Sequence, residues 1–174
     1  MRSTQTKWRY SPLILEEEQV RRAADVFPND FLDLVRRRAL LAGEDLLAAA
    51  EVAPDHMRYQ CEYELRARLV ALRQAFLFHA GDDAKSLELL QGAAVGSSAL
   101  YRHLLSLAGR DPVEGHEGLA RAVASVYAVD PEALLAPYVA RRGDLKADAA
   151  KPRLGAYLDA LTTLARAVDV YATR

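Results

Sequence analysis

Arg73 and His79, in the stretch "LRQAFLFHAG", come nearer to a catalytic pair than any other two side chains of this sequence. Beside a scissile phosphodiester, an imidazole serves as general acid or base and a guanidinium stabilises the phosphorane. Geometry restrains that idea. A helix turns about 100° per residue, so six steps leave the two side chains about 120° apart around the axis. They meet only if the last helical turn unwinds. His79 also stands two residues before Gly81, a natural C-cap glycine, where the negative end of the helix dipole favours an imidazole with no catalytic role.

The remaining candidates are sparser. His56, His103 and His116 form no i,i+3 or i,i+4 pair, and no His-Glu-x-x-His stands on a helix. His116 lies in "VEGHEG", which reads as a solvent-facing loop, and His103 can pair on the polar side of its own helix. The single cysteine, Cys61, excludes an internal disulfide and a cysteine-bound zinc, and it falls on an apolar helix face as inert packing. Gly96-Ser97 is followed by one isolated carboxylate, Asp111, before a proline, so it reads as a helix break with Ser97 as N-cap. The sequence has no phosphate-binding loop and no dinucleotide fingerprint, and it indicates neither cofactor nor metal. Three arginines on the polar side of the long helix, Arg66, Arg68 and Arg73, could face an anionic ligand. The alternative is pairing along the helix with Glu62 and Glu64, in the favourable i,i+4 order.

The elements that must position these residues are mostly helical. From Pro54, a first-turn proline, to Gly81, the apolar residues Met57, Cys61, Leu65, Leu69, Leu72 and Phe76 recur every three or four positions. A second line, Tyr59, Tyr63, Val70 and Leu77, widens that face and predicts neighbours on more than one side. Shorter helices follow: "DDAKSLELLQGAA" capped by Asp82 or Asp83, "SSALYRHLLSLAG" ending at Gly109, and "EGLARAVASVYAV". Another runs from Asp130-Pro131 to Gly143, and a last one starts near Pro152. The broad apolar face of that last helix closes the bundle or binds a second copy. Trp8 and Tyr10 could add to such a homodimer contact.

Residues 1–53 read less regularly. "SPLIL" suits a short strand, "EEEQVRRAADVF" a helix, and Pro28-Asn29 a break. "DFLDLV" suits either a short strand or the start of a helix through "RRRALLAG". The expected fold is a mostly α multi-helix bundle (54–174) around a long central helix, with an N-terminal segment (1–53) that has room for one or two short strands. With 23 basic against 24 acidic residues in 174, net charge −1, no excess of charge grips a DNA backbone. Short clusters such as Arg36–Arg38 and Arg141-Arg142 read as solvated surface. Apolar runs too short for a membrane, and the lack of a signal-peptide pattern, point to the cytoplasm.

Two resemblances add expectations. The Arg-x5-His spacing is similar to that of the HEPN ribonucleases, which implies RNA cleavage at a dimer cleft by Arg73 and His79. More of the chain is involved in the second. "SPLIL", "DVFPNDFLDL", "LLAGEDLL", "YQCEYELRARLVALRQAFL" and "LYRHLLSLAGRDP" follow one another as in the latter part of bacterial nucleotidyltransferase-domain proteins. The Gly-Ser and Asp-x-Asp of that family precede these elements and are missing here. Asp33 stands where a third carboxylate of that fold would sit, without the two partners a metal pair needs. The resemblance implies a non-catalytic helical module that binds a partner protein or a nucleotide-type substrate, with Arg66, Arg73 and Asp33 as ligand-binding residues.

Overall fold

Glu17 and Glu18 open the first helix, α1 (Glu17–Arg22), where carboxylates complement the positive end of the dipole. The computed structural model describes residues 14–22, 24–48, 50–79 and 82–171, and the chain divides into two compact units, Met1–Val52 and Ala53–Arg174.

In the first unit the ambiguity of "DFLDLV" resolves to helix. Pro28 does not break the chain but starts α2 (Pro28–Arg37). Its missing N–H and fixed φ cost nothing in a first turn. Phe31 anchors the helix, only 3% exposed. Arg36 and Arg37 fall in the last turn, and Arg38 leaves the helix in extended backbone. Its guanidinium bonds the Asp45 carboxylate at 2.9 Å and the Val35 carbonyl. The helix therefore stops short of "ALLAG". No strand occurs among the described residues. Ile14 and Leu15 of "SPLIL" are irregular, and residues 11–13 lie outside the described part, as do Trp8 and Tyr10.

The second unit is a bundle of six helices among the described residues: α3 (Pro54–Phe78), α4 (Asp83–Ala93), α5 (Ser97–Leu107), α6 (His116–Tyr127), α7 (Pro131–Arg142) and α8 (Ala150–Asp169). Its boundaries follow local chemistry. Pro54 opens α3, and Asp82 caps α4 by accepting the Lys85 amide at 2.9 Å. Asp130 does the same for α7 through Glu132, and Gly143 ends that helix at φ +84°. A 3-10 turn, Ala147–Ala149, leads into α8, which starts slightly before Pro152. Gly81 lies outside the described residues.

α8 packs against α3, α4, α6 and α7 and runs antiparallel to α3, with Thr162 beside Arg73 and Asp169 beside Arg66. Met57, Cys61, Leu65 and Leu69 of α3 and Leu154, Leu161, Leu164 and Val168 of α8 are all buried. Each such leucine contributes about 1.5–3 kcal/mol by leaving water. The apolar face of α8 is thus taken up inside the bundle. The second line on α3 is different: Tyr59, Tyr63, Val70 and Leu77 all remain exposed. Periodicity shows that a face is apolar, but not whether a neighbour covers it.

Candidate functional site

Two helix N-termini meet at one end of the bundle. Gly96, in the left-handed region at φ +71°, is the N-cap of α5, and Gly115 at φ +79° is the N-cap of α6. The first two turns place Ser98 and His116 side by side. The Ser98 hydroxyl shares a hydrogen bond with Nδ1 of His116 and a second, at 3.2 Å, with the phenol of Tyr138 on α7. The imidazole stacks on the Tyr138 ring, centroids 4.6 Å apart and planes 16° from parallel. Tyr101 also meets Tyr138, in an edge-on arrangement with centroids 6.4 Å apart. With a neutral imidazole, Ser98 donates to Nδ1 and accepts from the phenol, which leaves Nε2–H as the ring's own donor.

His116 and Tyr138 form one wall of a cavity of about 470 Å³ between α6 and α7. Leu135 and Val139, one turn apart on α7, supply an apolar floor. Arg121, Arg141 and Arg142 supply a cationic rim. Arg121 is paired with Glu117 at 3.0 Å and Glu132 at 3.4 Å, and Arg142 with Asp144 at 3.1 Å. Arg141 has no ion-pair partner among the described residues. Burial pushes the Tyr138 phenol above its ordinary range, an effect that its bond to Ser98 opposes. Ser98 is not among the residues on the cavity wall. Its hydroxyl bonds both rings and so fixes them relative to each other.

The support for this wall is a second polar cluster. Arg68 of α3 donates to the carbonyls of Ala93 (3.4 Å) and Val95 (3.1 Å), where α4 ends, and to Ser97 Oγ (3.5 Å). Those carbonyls have no partner within the helix, so a guanidinium there satisfies them and meets the negative end of the dipole. Ser97 does not cap α5 as its position suggests. Its hydroxyl donates back to the Ala93 carbonyl, and Gly96 holds the cap position. The buried Tyr157 hydroxyl sits among Ser97, Tyr101 and Arg68.

The residues singled out by the sequence lie elsewhere. Arg66 pairs with Glu62 at 2.7 Å and with Asp169 at 3.2 Å, so for this residue the pairing alternative holds. These contacts stabilise the guanidinium, chiefly through Glu62, and keep the Glu62 carboxyl below its ordinary range, chiefly through Arg66. Arg73 donates to the Thr162 hydroxyl at 2.8 Å. α3 stays regular through Phe78, and the His79 amide donates to the Ala75 carbonyl. The last turn does not unwind to bring His79 toward Arg73. The His79 ring packs edge-on against Phe78. Asp33 lies in the first unit, on the wall of an apolar groove with Phe27, Phe31 and Leu34. His103 is buried, and His116 is no loop residue but the first residue of α6.

Among the described residues no three His, Cys, Asp or Glu converge as a metal site, and no helix is long and apolar enough to cross a membrane. Sequence reading had His116 and the Arg141-Arg142 pair in view but joined neither to Tyr138. The usable signal was the glycine before each of the two serine- and histidine-bearing helix starts. No protein-family model, curated protein or solved structure matches the chain.

Proposed function

We propose that the chain is a non-catalytic helical module that binds a small anionic ligand of the nucleotide type in the α6–α7 cavity. The observation that carries this reading is the His116–Tyr138 stack, bonded by Ser98, beside an arginine rim in which Arg141 has no ion-pair partner among the described residues. A flat ring stacks against an aromatic wall, and a phosphate is held by guanidinium groups, best by the one with no carboxylate to release. The volume of about 470 Å³ falls within the range of about 300–1,000 Å³ usual for small-molecule sites. The resemblance to the helical half of nucleotidyltransferases points to the same ligand class.

Calorimetric titration of the full chain with nucleoside mono-, di- and triphosphates, with and without magnesium, tests the proposal. Binding should depend on phosphate. Arg141→Gln should weaken it about tenfold, the loss of one charge-assisted contact of roughly 1.5 kcal/mol. Arg66→Gln and Arg73→Gln, whose side chains serve the α3–α8 seam, should leave it unchanged. Heat-silent titrations with every nucleotide, or equal affinity in Arg141→Gln, would sink the idea.

A further inference from the structure

The cationic rim of the α6–α7 cavity is largely taken up by its own carboxylates. Nη2 of Arg121 bonds an oxygen of Glu117 at 3.0 Å and an oxygen of Glu132 at 3.4 Å, so one nitrogen holds two carboxylates together where α6 and α7 begin. Its Nε bonds the same Glu117 oxygen at 3.1 Å. These contacts, chiefly the bond to Glu117, stabilise the charged guanidinium. Arg142 is held by Asp144 at 3.1 Å. The three guanidinium groups of the rim are thus matched in number by three carboxylates, and Arg141 is the one without an ion-pair partner among the described residues. Glu117 and Glu132 stand on the cavity wall itself, their side chains more than half exposed.

We propose, on the nucleotide reading above, that this cavity takes a nucleotide with a single phosphate group and without a metal ion, and that Glu117 and Glu132 turn longer phosphate chains away. A phosphate monoester carries about −1.5 to −2 charges at neutral pH, and the Arg141 guanidinium can meet it with no ion pair broken first. Every further phosphate brings more negative charge to a rim with no second guanidinium free of a carboxylate. It must either lie beside Glu117 and Glu132 or displace them from Arg121. Like charges a few ångströms apart at a protein surface repel strongly enough to change an affinity by about tenfold or more. A magnesium ion carried on a triphosphate takes oxygen ligands, and the carboxylate oxygens on this wall already accept from Arg121. Binding the ion there breaks the bridge between α6 and α7.

Calorimetric titration of the full chain with adenosine and guanosine mono- and triphosphates, each with and without magnesium, gives the ranking. The monophosphate should bind about tenfold or more tightly than the triphosphate of the same base, and magnesium should leave its dissociation constant within about twofold. The double variant Glu117→Gln, Glu132→Gln isolates the part played by the carboxylates. It frees Arg121 and removes two negative charges, so the triphosphate should gain about tenfold while the monophosphate gains less. Both side chains are exposed, and unchanged circular dichroism checks that the fold is kept. Glu88→Gln removes a carboxylate that is paired with Lys85 on α4 and is not on the cavity wall, and it should keep the wild-type ranking. A triphosphate that binds as tightly as the monophosphate, or more tightly, would overturn the proposal and leave the nucleotide site standing. So would a ranking that the double variant does not change. Silence with all four nucleotides would overturn it together with the reading on which it rests.

Discussion

Gly96 carries more of the site than its size suggests. It occupies the left-handed region, and a Cβ added there would stand 2.7 Å from Nη2 of Arg68. A non-glycine residue in that conformation costs about 1–2 kcal/mol, and displacing the guanidinium weakens bonds to two helix-terminal carbonyls. Gly96→Ala should therefore lower the free energy of unfolding by about 2–3 kcal/mol, read by chemical denaturation, and Arg68→Met should cost a similar amount. Because both substitutions release the same guanidinium contacts, the double variant should lose clearly less than the sum, which a double-mutant cycle measures. At this scale the sequence was partly legible. Gly96-Ser97 marked a helix break, because a glycine before two serines is a local signal. That Arg68 fills the space where a side chain would go is a tertiary fact with no local trace. For the same reason Ser97 looked like a cap while its hydroxyl serves the Ala93 carbonyl.

At the scale of elements, tyrosines tie the helices together. Tyr127 on α6 donates to the Leu104 carbonyl of α5 at 2.8 Å, and Tyr101 on α5 donates to the Leu134 carbonyl of α7 at 3.3 Å. Burial pushes the phenols of Tyr101, Tyr127, Tyr138 and Tyr157 above their ordinary value of 10.0. The fold thus favours the neutral form. That contribution is complete below the unfolded value of 10.0 and is lost as pH rises from there through the folded values. Urea unfolding should show a stability plateau near about pH 8 and a steep fall above about pH 10.5, steeper than one exposed tyrosine would give. A flat profile to about pH 12 would show that these phenols are not buried together. Helix boundaries were the most legible feature here. Asp130-Pro131 and Gly143 state the ends of α7 in their own chemistry, and Asp82 does so for the start of α4. Pro28 misled because proline both breaks helices and begins them, and only the burial of Phe31 decides which.

At the scale of the molecule, every residue assigned to the cavity, to its Ser98 latch and to its Arg68 support belongs to the second unit. The core of that unit is complete in the same sense. Its buried leucines come from α3 through α8, and Leu161 on α8 is fully enclosed. Two expectations follow from this autonomy. A fragment of residues 53–174 should unfold cooperatively, and Leu161→Ala within it should cost about 2–5 kcal/mol, the range for an emptied leucine site. The fragment should also bind the nucleotide found for the full chain with an affinity within about threefold, since a change of under 0.7 kcal/mol is what an uninvolved unit permits. A cooperative fragment that has lost binding would place part of the ligand site in residues 1–52. Asp33 and the groove it lines with Phe27 and Phe31 would then be the first place to look. A fragment that binds as the full chain does would assign the site to the bundle alone and give the first unit a separate role.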